Sequence, residues 1–107
     1  MKKYKIIVTT TNSIENLKAI RTRILNKKLS PCVQTINNLE SHYMWKGKLV
    51  SDKEIMILIK TDKKNEHNIT KEIQSVHKYE NPEIISYEFD ILSKKYKEWF
   101  DKVLDNK

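Results

Sequence analysis

The pattern of hydrophobic and polar positions changes period several times along this chain, and each change marks a predicted element. β-Branched and apolar runs predict four strands, at 5–10, 32–44, 54–60 and 84–89. Apolar residues at helical spacing predict helices at 14–27, 69–76 and 96–104. This order predicts an α+β fold of the ferredoxin-like, split βαβ type. Two helices should cover one face of a four-stranded antiparallel sheet, and a C-terminal helix should follow.

Local signals place the boundaries of these elements. Asn12 and Glu15 have the spacing of a capping box at the start of the first helix, and Pro31 prevents that helix from continuing. Asn37 and Asn38 indicate a bulge in the second strand. Gly47 is the only glycine of the chain and lies between the second and third strands, so we expect a tight turn there with positive φ.

The third strand is apolar on both of its faces. Strand side chains alternate between faces, yet every residue from Ile55 to Ile59 is hydrophobic. The helices can cover one face only. Roughly two or three residues remain on the other face, worth on the order of 3–9 kcal/mol if they are fully buried. We therefore expect this face to pack on other copies of the chain, with Ile55, Ile57 and Ile59 at the interface. The alternative is an exposed apolar patch that is merely tolerated.

Composition narrows the class of protein without naming a function. The 107 residues suit one domain, 1–107, and the sequence has no apolar run long enough for a membrane span or a signal peptide, so a cytoplasmic location is expected. The net charge of +7 is spread over scattered lysines, as on a solvated surface. Nucleic-acid binding is not expected, because the third strand lacks the aromatic residues that stack on RNA bases.

Several motifs occur together in a specific order. They are 43–49 (YMWKGKL), 58–61 (LIKT), 77–84 (HKYENPEI), 96–99 (YKEW) and 31–33 (PCV). In these motifs the chain resembles the CutA divalent-ion tolerance family. The resemblance implies a ferredoxin-like homotrimer that takes part in the response to divalent metal ions. It also implies that the long hairpin reaches a neighbouring subunit, so that Trp45 and Gly47 contribute to the trimer interface.

Two positions depart from the family pattern. Lys78 stands where the family has a proline, and Gln34 stands where it has an asparagine. We expect Lys78 to loosen the loop that carries His77 and to add a positive charge beside it.

Weak binding of copper or another divalent cation is the activity that the resemblance implies. The candidate ligands are Cys32, His77 and Glu83. Thiolate and imidazole groups suit copper and zinc, but no ligand pair here has a preset spacing. Each residue also has a structural interpretation: Cys32 as a small buried hydrophobe, His77 as a hydrogen-bonded loop residue, and Glu83 as the partner of a lysine.

A second set of residues is similar to residues that line a cleft between subunits in the family. The set comprises Lys60, Tyr79, Glu83 and Trp99. Around such a cleft these side chains could bind a small anionic or zwitterionic metabolite, as in a PII-like sensor. Alternatively, they form a polar network that only fixes the trimer geometry. The sequence contains no nucleophile motif, phosphate loop or zincin signature, so an enzyme is not expected.

Overall fold

The computed structural model describes residues 2–106 and confirms the predicted order of elements. The elements are β1 (Tyr4–Thr11), α1 (Ile14–Asn26), β2 (Cys32–Trp45), β3 (Lys48–Asp62), a 3₁₀ turn (Lys63–Asn65), α2 (Glu66–Val76), β4 (Ile84–Phe89) and α3 (Lys94–Asp105). The four strands form one sheet in the order β2-β3-β1-β4, and every neighbouring pair is antiparallel. This is the predicted ferredoxin-like arrangement.

Helices α1 and α2 cover the face of the sheet that carries the odd-numbered residues of β3. Ile57 and Ile59 lie there at 0% exposure and pack with residues of both helices in one buried cluster. Ile55 is half-buried and packs against the same cluster. The prediction that Ile57 and Ile59 form the subunit interface is therefore wrong, whereas for Ile55 it stays a prediction. The physical reason is alternation: Ile57 and Ile59 point at their own helices and have no free surface.

The opposite face carries the even-numbered residues of β3, among them Met56 and Leu58, which are half-buried. The register places Leu58 beside Val8, and Val8 beside Ile85 of β4. Large apolar side chains are open to solvent on this face, including Ile36, Ile85 and Tyr87 at 52%, 44% and 56% exposure. We call this surface the open face. The sequence predicted an uncovered apolar face of this kind, but it assigned the odd-numbered residues of β3 to that face, whereas the structure places the even-numbered residues there.

Helix α3 covers one end of the open face. Phe100 and Leu104 pack there with Tyr4 in a second buried cluster, and Phe89 packs against it. Tyr4 and Phe89 are paired across β1 and β4, and alternation puts them on the same face as Leu58. The C-terminal helix thus lies on the side of the sheet opposite α1 and α2.

Strands β2 and β3 form a hairpin that is longer than the rest of the sheet. Its turn is Lys46-Gly47, with φ values of 51° and 76°, so both residues have the positive φ of a type I′ turn. The register shifts between Ile36 and Leu39, where Asn38 has a φ of 60°, and this confirms the predicted bulge. From Glu54 towards the turn, β3 pairs with β2 alone, because β1 reaches only as far as Ile55. We call this two-stranded extension the ribbon.

Serine side chains cap helices α1 and α3, and the cap of α1 differs from the predicted one. Ser93 caps α3, and its hydroxyl accepts a hydrogen bond from the amide of Tyr96. The cap of α1 is Ser13 rather than Asn12, because the Ser13 hydroxyl accepts from the amide of Asn16. Among residues 2–106, no helix is both long enough and apolar enough to cross a membrane.

Candidate functional site

The loop after α2 is positioned by His77, whose two ring nitrogens are both engaged. Nδ1 accepts a hydrogen bond from the amide of Tyr79 at 3.0 Å, and this requires that Nδ1 carry no proton. Nε2 therefore carries the proton of the neutral ring and donates to the carbonyl of Thr10 at 2.8 Å. The imidazole ties the loop to the end of β1 and has no nitrogen left for a metal ion.

The surroundings of His77 keep it neutral. Burial lowers the pKa of His77 below its ordinary value of 6.5. The Thr10 carbonyl and the charge of Glu54 act in the opposite direction but do not outweigh burial. Of the two interpretations of His77, the hydrogen-bonded loop residue is the one that agrees with this geometry.

Asn16 is the second anchor of the loop, and the sequence analysis missed it. Its Nδ2 donates to the carbonyl of Val76 at 2.9 Å, and its Oδ1 accepts from the hydroxyl of Thr11 and from the amide of Lys78. A proline at position 78 has no N–H to donate. The amide of Lys78 thus supplies a hydrogen bond that the family's proline cannot make, and this bond opposes the expected loosening of the loop.

Tyr79 connects the loop to the base of the ribbon. Its hydroxyl donates to Glu54 Oε2 at 2.7 Å, and its ring lies 4.8 Å from that of His77. Glu54 is only 7% exposed. Burial, followed by the hydrogen bond to Glu54, raises the pKa of Tyr79 well above its ordinary value of 10.0, so the phenol keeps its proton and remains a donor. Glu54 was also missed, although an acidic residue at the edge of an otherwise apolar strand was a signal.

A cleft of about 590 Å³ lies between this loop and the ribbon. Its walls carry four carboxylates, three phenol or indole rings and one imidazole: Asp52, Glu54, Glu80, Glu83, Tyr43, Trp45, Tyr79 and His42. Tyr43 donates from its hydroxyl to Asp52 at 3.4 Å, so two of the three rings are hydrogen-bonded to carboxylates. The structure thus brings Tyr79, Glu83 and Trp45 of the predicted residues to one place.

The other predicted residues lie towards the opposite end of the sheet. Lys60 places its ammonium 5.8 Å from the ring centroid of Tyr96, and Trp99, 45% exposed, packs beside the same ring. Cys32 is paired with Lys60 across β2 and β3, whereas Thr10, the partner of His77, is paired with Met56. Four residues of strand separate these positions, on the order of 13 Å.

One chain therefore does not form either predicted site completely. Lys60 and Trp99 are apart from Tyr79 and Glu83, and Cys32 is apart from His77. Within residues 2–106, no group of three or more His, Cys, Asp or Glu side chains could hold a metal ion. Among these described residues, no lysine forms an ion pair with Glu83. The described residues of a single chain do not form a metal centre.

Comparison with known proteins settles the family. A family model described as CutA1 divalent ion tolerance protein matches residues 5–103. The chain belongs to the CutA1 family. It is 33% identical over 94 residues to the chloroplastic protein CutA of Arabidopsis thaliana, which covers 88% of this chain. It is 26% identical over 95 residues to the divalent-cation tolerance protein CutA of Thermus thermophilus, which covers 89% of it.

The extent of the match differs among relatives of this CutA1-family chain. The chain spans about half of the Arabidopsis protein, 52% of its length, but 92% of the Thermus protein. Among solved structures, CutA1 from Oryza sativa superposes with a TM-score of 0.90 at 28% identity, covering 98% of this chain and 96% of that one. The predicted resemblance to the CutA family and the predicted fold are both confirmed.

Proposed function

We propose that this CutA1-family chain acts in divalent-cation tolerance and does so as a homotrimer. The observation that carries the assembly is the open face, where Ile36, Ile85 and Tyr87 are exposed and Leu58 is half-buried on one side of the sheet. Large contiguous apolar surfaces of this kind mark interfaces. The ribbon supports the same proposal, because an isolated two-stranded hairpin is marginally stable in water. Trp45 and Gly47, at its exposed end, are proposed interface residues.

The native mass tests the assembly. Light scattering behind a sizing column should give three times the chain mass of 12.8 kDa. Leu58→Asp places a charge on the open face and should yield a smaller species. Leu92→Asp is the matched control, since Leu92 is 94% exposed in the link between β4 and α3, and it should remain trimeric. A monomeric wild type, or equal effects of both substitutions, would contradict the proposal.

Weak binding of copper or another divalent cation is proposed to depend on Cys32. Its thiol is half-exposed at the start of β2, and its amide is already bonded to the hydroxyl of Ser30. His77 has both nitrogens occupied, so its contribution would require the loop to break two hydrogen bonds. Calorimetric titration with Zn²⁺ and with Cu²⁺ in a competing buffer should show weaker binding in Cys32→Ala and nearly unchanged binding in His77→Ala. Identical curves for wild type and Cys32→Ala would remove Cys32 as a ligand.

The metabolite-sensor alternative gains no support from the comparisons, and Lys60 is not among the described residues that line the cleft with Tyr79. The Thermus relative and the family model carry the name of a tolerance protein rather than of an enzyme. A cytoplasmic location remains a proposal, which fractionation of cells that express the tagged chain would test.

A further inference from the structure

The fold gathers most of the positive charge of the chain on one side of the sheet. Helices α1 and α2 with the turns beside them, residues 14–28 and 63–78, contain nine lysines and arginines but only three acidic residues. We call these residues the helical layer. Nine positive charges less three negative ones give the layer +6 of the formal net charge of +7. The basic residues are scattered along the sequence, so this asymmetry emerges only when α1 and α2 pack together on one face.

The acidic residues of the helical layer leave most of its cations unpaired. Glu72 pairs with Arg23 at 2.9 Å and with Lys27 at 3.1 Å, and Glu66 pairs with Lys63. Within residues 2–106, the other six basic residues of the layer form no ion pair: Lys18, Arg21, Lys28, Lys64, Lys71 and Lys78. Arg21 is half-buried and the other five are exposed. Basic side chains gathered on one face, in a chain with a pI of about 9.4, are typical of proteins that bind polyanions.

The position of these six cations favours an extended partner over a small anion. Among the described residues, they line neither the cleft of about 590 Å³ nor a second cleft, of about 520 Å³, beside the end of α2. They are spread over and beside two helices of 13 and 11 residues, each roughly 16–20 Å long. A partner that carries many negative charges at regular spacing can meet several of these cations at once.

Two features of the helical layer distinguish among the polyanions. Stable binding at a lipid surface needs an apolar helix side that enters the bilayer, but the apolar sides of α1 and α2 are already buried against the sheet. The layer also has no phenylalanine, tyrosine or tryptophan on which the bases of a single strand could stack. Contact must therefore be with phosphates, and a duplex presents them densely, at one charge per about 1.7 Å of its axis.

We propose that the helical layer binds the phosphate backbone of double-stranded nucleic acid, without preference for sequence. The expectation that nucleic acid is not a partner concerned base stacking on the third strand, and this binding uses the other side of the molecule. The proposal does not depend on the divalent-cation role. The layer lies opposite the open face, so it is accessible in a single chain and stays accessible in the proposed homotrimer.

The dependence of binding on salt tests the proposal. Fluorescence anisotropy of a labelled DNA duplex, titrated with the native protein, gives the binding constant at each salt concentration. Each phosphate that a cation neutralises contributes about −0.9 to the slope of log K against log salt concentration, so six cations predict a slope of about −5. Binding should then weaken roughly a thousandfold between about 50 and 200 mM salt. A duplex of shuffled sequence should bind equally well.

A pair of substitutions then assigns the binding to the helical layer. Lys18→Gln combined with Lys71→Gln should make the slope less steep by about two, one for each lost phosphate contact. Both lysines are exposed and unpaired among residues 2–106, so the fold should be kept. The control is Lys94→Gln combined with Lys95→Gln, which removes the same charge from exposed positions of α3, on the other side of the sheet. This control should keep the wild-type slope, and light scattering should show the same mass for all three proteins.

Three results would overturn the proposal. One is the absence of saturable binding to the duplex at about 50 mM salt. Another is an equal change of slope in the two double variants, which would show that net charge and not the helical layer determines binding. The third is cosedimentation with vesicles of phosphatidylserine and phosphatidylcholine that the Lys18 and Lys71 substitutions abolish, together with duplex binding that they leave unchanged, which would assign the layer to a lipid surface.

Discussion

Ile57 and Leu58 are adjacent on β3, but their side chains lie on opposite faces of the sheet, and truncating each one should have a different effect. Ile57 is 0% exposed within the cluster under α1 and α2. Truncation of a fully buried isoleucine to alanine costs about 2–5 kcal/mol, because apolar contacts are lost and a cavity remains. Domains usually have a free energy of unfolding of about 5–15 kcal/mol, so Ile57→Ala should remove a large part of it.

Leu58→Ala should behave differently, since Leu58 is half-buried on the open face. Within one chain the loss should be roughly 1 kcal/mol, because only part of the side chain is withdrawn from water. In an assembled protein the loss should grow with protein concentration, since binding of other copies contributes to the stability of the folded state.

The measurement is urea unfolding followed by circular dichroism at two protein concentrations. The loss in Ile57→Ala should be the same at both concentrations, and the loss in Leu58→Ala should be larger at the higher one. An equal loss from the two substitutions at low concentration would refute the assignment of faces. A loss in Leu58→Ala that is independent of concentration would refute the role of the open face in assembly.

Three further substitutions test the loop and the turn by the same unfolding assay. Burial lowers the pKa of His77, so the unfolded chain takes up a proton at this residue at a higher pH than the folded chain does. The stabilisation by neutral His77 should therefore be complete above pH 6.5, its ordinary pKa, and be lost as the pH falls from there towards the pKa of the folded state. Over this range the free energy of unfolding should fall by at most about 1.4 kcal/mol per pH unit because of His77, and His77→Gln should remove this dependence on pH. Tyr79→Phe leaves Glu54 without its donor and should cost about 1–3 kcal/mol; an unchanged midpoint would show that the bond is not stabilising. Gly47→Ala should cost roughly 1 kcal/mol from positive φ alone, because nothing lies within 4 Å of the added Cβ, and a larger loss would indicate a contact with another chain.

The sequence predicted the parts of this fold that depend on neighbouring residues. Strand and helix periods, the turn at Gly47 and the bulge at Asn38 are local, because a few adjacent dihedral angles decide them. The order of elements then left few topologies to consider. The resemblance to the family pointed to Tyr79 and Glu83, which the structure places on the same cleft.

The parts that the sequence did not predict depend on contacts between distant residues. Whether Ile57 or Leu58 faces the helices is decided by how β3 pairs with β1 and on which side the crossovers pass, and alternation alone is symmetric between the two. Asn16 and Lys78 are 62 positions apart, and Glu54 and Tyr79 are 25 apart. Side-chain hydrogen bonds over such separations leave no periodic signal in the sequence.

The ribbon implies an order of events during folding. Its seven residue pairs, from Leu39↔Glu54 to Trp45↔Lys48, are joined only to each other in the sheet, and Leu49 at its end is 73% exposed. The three-stranded part around β1 can form from a lone polypeptide, whereas in the proposed trimer the outer part of the ribbon would gain its packing contacts only on assembly. After dilution from denaturant, amide protons near the turn should exchange with deuterium within seconds. They should become protected at a rate that rises with protein concentration.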